Sequence, residues 1–118
     1  VAEFNTQLLF SELPATWLAF NGDVLIGSIS ALLEDAAEFN DIAGPWLASF
    51  YIAPEYRGKG VGQLLMNAAE QAVKNFGCQQ WYLFTPRHEA YYAKQGWQLL
   101  EYRELHGEQV AVMAQKLT

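Results

Sequence analysis

WLASFYIAPEYRGKGVGQLLMNAAEQAVKNF, running from Trp46 to Phe76, is the stretch from which the rest of the chain can be read. Its first part, Trp46 to Ile52, is a nearly continuous apolar run with aromatics, the pattern of a strand buried on both faces. Pro54 ends that strand because proline has no N–H to give to a ladder. Arg57-Gly58-Lys59-Gly60-Val61-Gly62 follows, three alternate glycines with two basic side chains among them. Val61, Leu64, Leu65, Ala68, Ala69, Ala72, Val73 and Phe76 then recur at three and four residues, one apolar stripe of period 3.6. Gly77 closes the helix in the C′ position. The unit is strand, glycine-rich turn, helix.

Such a unit is built to receive an anion. Glycines without Cβ let several backbone N–H groups face one concavity, and the helix N-terminus adds unpaired donors and the positive end of its dipole. Arg57 and Lys59 add formal charge, and a guanidinium can grip a phosphate with two parallel hydrogen bonds. The common nucleotide motifs do not fit. No Lys-Ser or Lys-Thr pair follows the glycines, and a G-x-G-x-x-G count from Gly58 ends on Gln63. The plainer alternative is a flexible turn whose glycines only reverse the chain.

At 118 residues the chain is expected to be a single domain, 1–118, with one core. A net charge of −6 argues against nucleic acid as the main partner and favours a cationic one. The single cysteine, Cys78, excludes an internal disulfide and suits a reducing, cytoplasmic setting. No run of about 18 apolar residues is present to span a membrane, and no signal peptide is visible.

Outward from the central unit, Ala15–Phe20 and Val24–Leu33 read as a hairpin around Asn21-Gly22-Asp23. Gly27 inside the second strand marks a bulge or a close backbone approach. Leu8, Leu9 and Phe10 read as a helix end or an irregular packing segment. Glu34 to Pro45 reads as a loop holding Glu34, Asp35, Glu38 and Asp41 with no basic residue among these carboxylates. They form either a solvated loop or a field that concentrates a cationic substrate. Cys78–Thr85 reads as a buried strand parallel to the first. Thr85-Pro86 serves as N-cap and N1 of a short helix reaching Lys94, with Gly96 ending it. Trp97–Leu105 and Gln109–Leu117 close the chain as an antiparallel hairpin around His106-Gly107.

Arg57, Gly60 and Gly62, preceded by Ile52-Ala53-Pro54, resemble motif A of the GNAT superfamily of acyl-CoA-dependent N-acetyltransferases. The family pattern is Gln/Arg-x-x-Gly-x-Gly/Ala at the start of a helix that follows a strand. Ala90-Tyr91-Tyr92-Ala93-Lys94-Gln95-Gly96-Trp97 resembles the family's late segment, an aromatic-Tyr pair followed by three residues, Gly and an aromatic. The resemblance covers roughly Thr16 to Leu117. The strand and one or two helices that usually open family members have little room here, so the chain looks like a short or N-terminally trimmed member.

The resemblance implies an α/β fold with a mixed, mostly antiparallel sheet, a parallel central strand pair and flanking helices. It implies acetyl-CoA as co-substrate, bound by Phe50, Tyr51 and Ile52 along the strand and by Arg57, Gly58, Lys59, Gly60, Val61 and Gly62 at the pyrophosphate. Thr85 falls where many members carry an asparagine that contacts pantetheine. Tyr92 occupies the position of the tyrosine that protonates the departing thiolate, and amine attack on a thioester needs such a donor. Tyr91 reads as core. His88, at the start of the same helix, is a candidate base that would take the amine's proton directly or through water.

The implied activity is acetyl transfer to a primary amine, a small cationic amine or a peptide N-terminus, by direct attack in a ternary complex. The expected partners are that amine or peptide, no nucleic acid and no membrane, with a homodimer left open. Cys78 reads as a buried strand start, unsuited to thiolate chemistry with His88. Ser49 carries no signal of activation, His106 reads as a solvated hairpin tip, and no metal-ligand spacing appears. Two other classes keep the glycine turn: a coenzyme A sensor without catalysis, which does not need Tyr92, and a nucleotide-phosphate binder, which lacks its motifs.

Overall fold

The computed structural model describes residues 5–8, 13–33 and 36–117. Its strands are β1 (Asn5–Leu8), β2 (Ala15–Asn21), β3 (Val24–Leu32), β4 (Trp46–Ile52), β5 (Gln80–Thr85), β6 (Gln98–Leu105) and β7 (Glu108–Lys116). Two α-helices, α1 (Val61–Asn75) and α2 (Glu89–Lys94), follow β4 and β5. The seven strands form one sheet in the order β1-β2-β3-β4-β5-β7-β6. Only the central pair, β4 and β5, runs parallel. This is the mixed, mostly antiparallel sheet that the sequence implied. Leu8 lies in a strand paired with β2 through Trp17, not in a helix end; Leu9 and Phe10 lie outside the described residues.

α1 crosses one face of the sheet and buries Val61, Leu65, Met66, Ala69 and Val73. They meet Trp17, Ile26, Ile29 and Leu47 from the sheet. Each buried Val, Leu, Ile or Met among them contributes about 1.5–3 kcal/mol by leaving water. Gly77, with φ +90, ends the helix. Its amide reaches the Lys74 carbonyl at 3.0 Å and that of Cys78 reaches Val73 at 3.3 Å, the paired bonds of a glycine C-cap. Gly27 shows both features that the sequence left open. The register steps opposite it, between Ala19 and Phe20. A Cβ on Gly27 would also stand 2.9 Å from the Tyr51 carbonyl oxygen and 3.1 Å from Leu65 Cδ1, so the helix and β4 close over it.

The expected start of the second helix is displaced. Thr85 stays in β5, paired with Ala111, and its hydroxyl accepts the amides of Arg87 (3.4 Å) and His88 (3.0 Å). The chain therefore makes a side-chain-capped turn first, and α2 begins only at Glu89.

The connection between β3 and β4 packs on the other face of the sheet, with Phe39, Trp46, Val110 and Val112 as a second buried cluster. Its described carboxylates, Glu38 and Asp41, both have basic neighbours. Arg103 of β6 donates two hydrogen bonds to Asp41, at 2.8 and 2.6 Å, and also pairs with Glu101. His106 Nε2 lies 3.3 Å from Glu38. Glu34 and Asp35 lie outside the described residues. The bases were legible as residues, but their partnership depends on a strand about sixty positions away in the chain.

The Asp41 carboxyl is held below its ordinary value of 3.8, first by the hydrogen bonds from Arg103. A depressed folded-state pKa means that the clamp adds stability above the ordinary value and loses it as pH falls through the depressed one. Asp41→Asn is therefore expected to melt below the unmodified protein at neutral pH, with the gap closing in strong acid; parallel thermal melts against pH check this.

Candidate active site

β4 and β5 pair at a single position, Trp46 with Tyr82, where the Tyr82 amide also reaches the Pro45 carbonyl at 2.9 Å. Beyond it the two strands part. The cause lies in β4. Ser28 pairs with Tyr51 and Ser30 with Ala48, so Ser49 and Phe50 together face the single residue Ile29. Ser49 takes φ +53, which is costly for a residue with a Cβ. This bulge bends the strand away from its parallel neighbour. Nothing in the sequence marks it, since serine at a mid-strand position carries no turn signal.

The opened space, about 540 Å³, lies at the carboxyl ends of the parallel pair, where open α/β sheets characteristically receive ligands. Phe50 and Ile52 line it from β4, and Tyr56, Arg57, Gly58, Gly60 and Gly62 from the turn. His88, Tyr91 and Tyr92 close it from the α2 side. Ala53 gives its amide to the Ile26 carbonyl at 2.8 Å. By the alternation of an antiparallel ladder, Ile52 turns its backbone away from β3 and into this space. There its carbonyl accepts from Arg57 Nε at 3.1 Å.

The turn supplies donors without using them itself. Gly60 is the N-cap of α1 at φ +86, no side chain caps the helix, and its first turn contains no acidic residue. The first-turn amides, from Val61 onward, thus have no acceptor within the helix. A Cβ on Gly58 or Gly60 would meet nothing within 4 Å, so both glycines border open space and both hold positive φ. Gly62 has a different task. A Cβ there would sit 3.3 Å from Tyr91 Oη and 3.4 Å from Phe50 Cζ, so its missing side chain lets those two rings close on the helix.

The cleft therefore gathers eight of the residues singled out in the sequence: Phe50, Ile52, Arg57, Gly58, Gly60, Gly62, His88 and Tyr92. Four others stand elsewhere. Tyr51 is 53% exposed and alternates to the opposite side of the strand from Phe50 and Ile52. Lys59 lies with its ammonium 5.6 Å from the Tyr56 ring centre. Val61 is buried in the core, leaving only its amide to act. Thr85 is buried with its hydroxyl engaged by its own turn, outside the lining of the cleft.

Tyr91 corrects the expectation of a core residue: it is 42% exposed and faces the glycine turn. The third alternate glycine was the clue, since a helix start stripped of its side chain invites a ring. Tyr92 packs inward, 6.1 Å from Trp97 and 5.2 Å from Tyr91 between ring centres. Burial, and then its neighbour Tyr91, push the Tyr92 phenol up to about 12. It stays protonated through the neutral range and so keeps an O–H to donate there. Removal of the Arg57 side chain should cost about 1.5 kcal/mol of anion affinity, roughly tenfold. Calorimetry with coenzyme A and with phosphate-free pantetheine checks this: Arg57→Ala should weaken only the first.

Among the described residues no group of three His, Cys, Asp or Glu side chains could hold a metal ion, and no helix is long and apolar enough to cross a membrane. The sequence matches the model of the acetyltransferase (GNAT) family over residues 2–97. No curated protein matches. Among solved structures the fold is similar to an IAA acetyltransferase from Bacillus cereus ATCC 14579, with TM-score 0.73 at 16% identity over 97% of this chain and 99% of that one. It is also similar to N-acetylglutamate synthase from Neisseria gonorrhoeae, complexed with coenzyme A and N-acetyl-glutamate: TM-score 0.71, 15% identity, 87% of this chain and 26% of that one. A NatC complex bound to Gag peptide and coenzyme A gives TM-score 0.69 at 16% identity, over 87% and 71%.

Proposed function

This chain belongs to the GNAT acetyltransferase family, and on that premise we propose that it moves an acetyl group from acetyl-CoA to a primary amine, a small cationic amine or a peptide N-terminus, by direct attack. The observation that carries the reading is the cleft itself: a parallel strand pair forced apart by a bulge, opening onto uncapped amides and glycines whose missing side chains leave a cradle. A pyrophosphate fits that cradle by charge and by donor count. The co-substrate supplies an activated acyl carbon on a thiol leaving group. The amine nitrogen bonds to that carbon, the C–S bond breaks, and an ammonium acceptor gives up two protons, one to the departing sulfur and one to solvent.

In this reading Arg57 and the amides of the glycine turn hold the phosphates, and the backbone of Phe50–Ile52 orients the acyl arm. Tyr92 donates toward the developing charge on sulfur. His88 stands on the cofactor side of the cleft, so a role as base runs through water. The domain works as one unit over 1–118, in a cytoplasmic setting. The test is thiol release from acetyl-CoA in the presence of a panel of primary amines; turnover requiring both substrates supports the reading, and coenzyme A binding without any turnover would leave only a binding module.

A further inference from the structure

A second cavity, about 290 Å³, adjoins the first and shares Phe50 and Tyr92 with it. Its remaining walls are Leu47, Ala48 and Ser49 of β4 and Leu83 and Phe84 of β5. Because the two spaces meet at Tyr92, the smaller one is where an acceptor would reach the acyl carbon held in the larger. Among the described residues the Tyr92 phenol is the only ionisable side chain that lines it. No described carboxylate lines this cavity, so a second ammonium entering it would gain no counter-ion from the lining. Of the β3–β4 connection's described carboxylates, Asp41 is engaged by Arg103 and Glu38 lies beside His106.

What the cavity does offer is a fixed aromatic wall. Phe84 stands edge-on to Phe39 at 4.9 Å and 78° and to Trp46 at 6.1 Å and 68°. Phe39 is itself stacked on Trp46 at 5.9 Å and lies under the Arg103 guanidinium at 5.3 Å. The clamped connection thus braces Phe84 from behind. On the β4 side the small side chains of Ala48 and Ser49 stand between Leu47 and Phe50, leaving room for a slot beside the Phe84 ring. Slots of this kind take flat apolar groups, which gain from ring packing beyond the area they bury.

Resting on the acetyl-transfer reading, we propose that the acceptor is a monoamine carrying an aromatic group a short arm from its nitrogen, and that Phe84 selects it. The probe is 2-phenylethylamine, set against ethylamine, spermidine and a short peptide with a free N-terminus, with the whole protein and saturating acetyl-CoA. The expected kcat/KM for 2-phenylethylamine exceeds each of the others by at least tenfold. Phe84→Ala should shrink its advantage over ethylamine by about tenfold, while coenzyme A affinity by calorimetry holds. Ala48→Phe, which fills the slot while keeping the Phe84 ring, should do the same and guards against a folding defect in the first variant.

A preference for spermidine or for the peptide, or an unchanged ratio in both variants, overturns the proposal. If no amine is turned over, the acetyl-transfer reading fails separately. The pocket is then judged by titrating 2-phenylethylamine into the coenzyme A complex and following tryptophan fluorescence: saturable binding abolished by Ala48→Phe sustains the aromatic slot, and no binding ends it.

Discussion

Tyr92→Phe is expected to lower kcat by about 10²-fold while leaving the affinity for coenzyme A nearly unchanged. The substitution keeps the ring that packs on Trp97 and removes only the hydroxyl, so the fold has little reason to respond. Its phenol, pushed up to about 12 by burial, does not hand its proton easily to a thiolate of ordinary basicity near 8.5. Its contribution is a hydrogen bond that strengthens as charge gathers on sulfur, which is stabilisation of the transition state and not of bound substrate. Two readouts separate this from a packing role. The pH–rate profile should rise as the amine loses its proton and show no falling limb from Tyr92 below about pH 10. Tyr91→Phe should do much less. Unchanged turnover in Tyr92→Phe, with chemistry rate-limiting, would place the donor elsewhere.

Gly60→Val should have the largest effect on cofactor binding, a loss of 10²-fold or more. Two causes act together. The N-cap sits at φ +86, where a β-branched residue is strained by about 1–3 kcal/mol, and the new side chain projects into the cradle that the uncapped amides border. Gly60→Asn distinguishes them, because asparagine tolerates the left-handed region. Its melting temperature should stay near that of the unmodified protein, whereas its coenzyme A affinity should still fall. If Asn restores binding as well as stability, strain alone explains the valine variant and the open cradle is not where the phosphates lie.

The strand-turn-helix unit was legible because its signals are local: an apolar run, proline, alternate glycines, then a 3.6-residue stripe. The hairpins were legible for the same reason, through Asn21-Gly22-Asp23 and His106-Gly107. What stayed hidden depended on partners distant in the chain. Asp41 looked free because Arg103 stands on β6. Tyr91 read as core, though it is exposed, because a six-residue helix gives too little periodicity to assign its faces. Thr85 read as the N-cap of the second helix, but it stays in β5 and its bonds close a turn ahead of the helix, whose N-cap is His88. The second cavity was invisible altogether, since it exists only where two strands fail to pair.

The bulge at Ser49 also sets which β4 side chains face the larger cleft. Along a regular strand Phe50 would share the side of Trp46 and Ala48, and Tyr51 would point with Leu47. With one residue inserted, the parity reverses after Ser49, so that Phe50 and Ile52 join Leu47 beneath α1 and Tyr51 turns outward. A single-residue change in strand length at this point would therefore exchange the lining of the site wholesale, without altering any side chain in it. The chemistry of the cleft is in that sense a matter of counting: its composition is encoded by where β4 skips a beat.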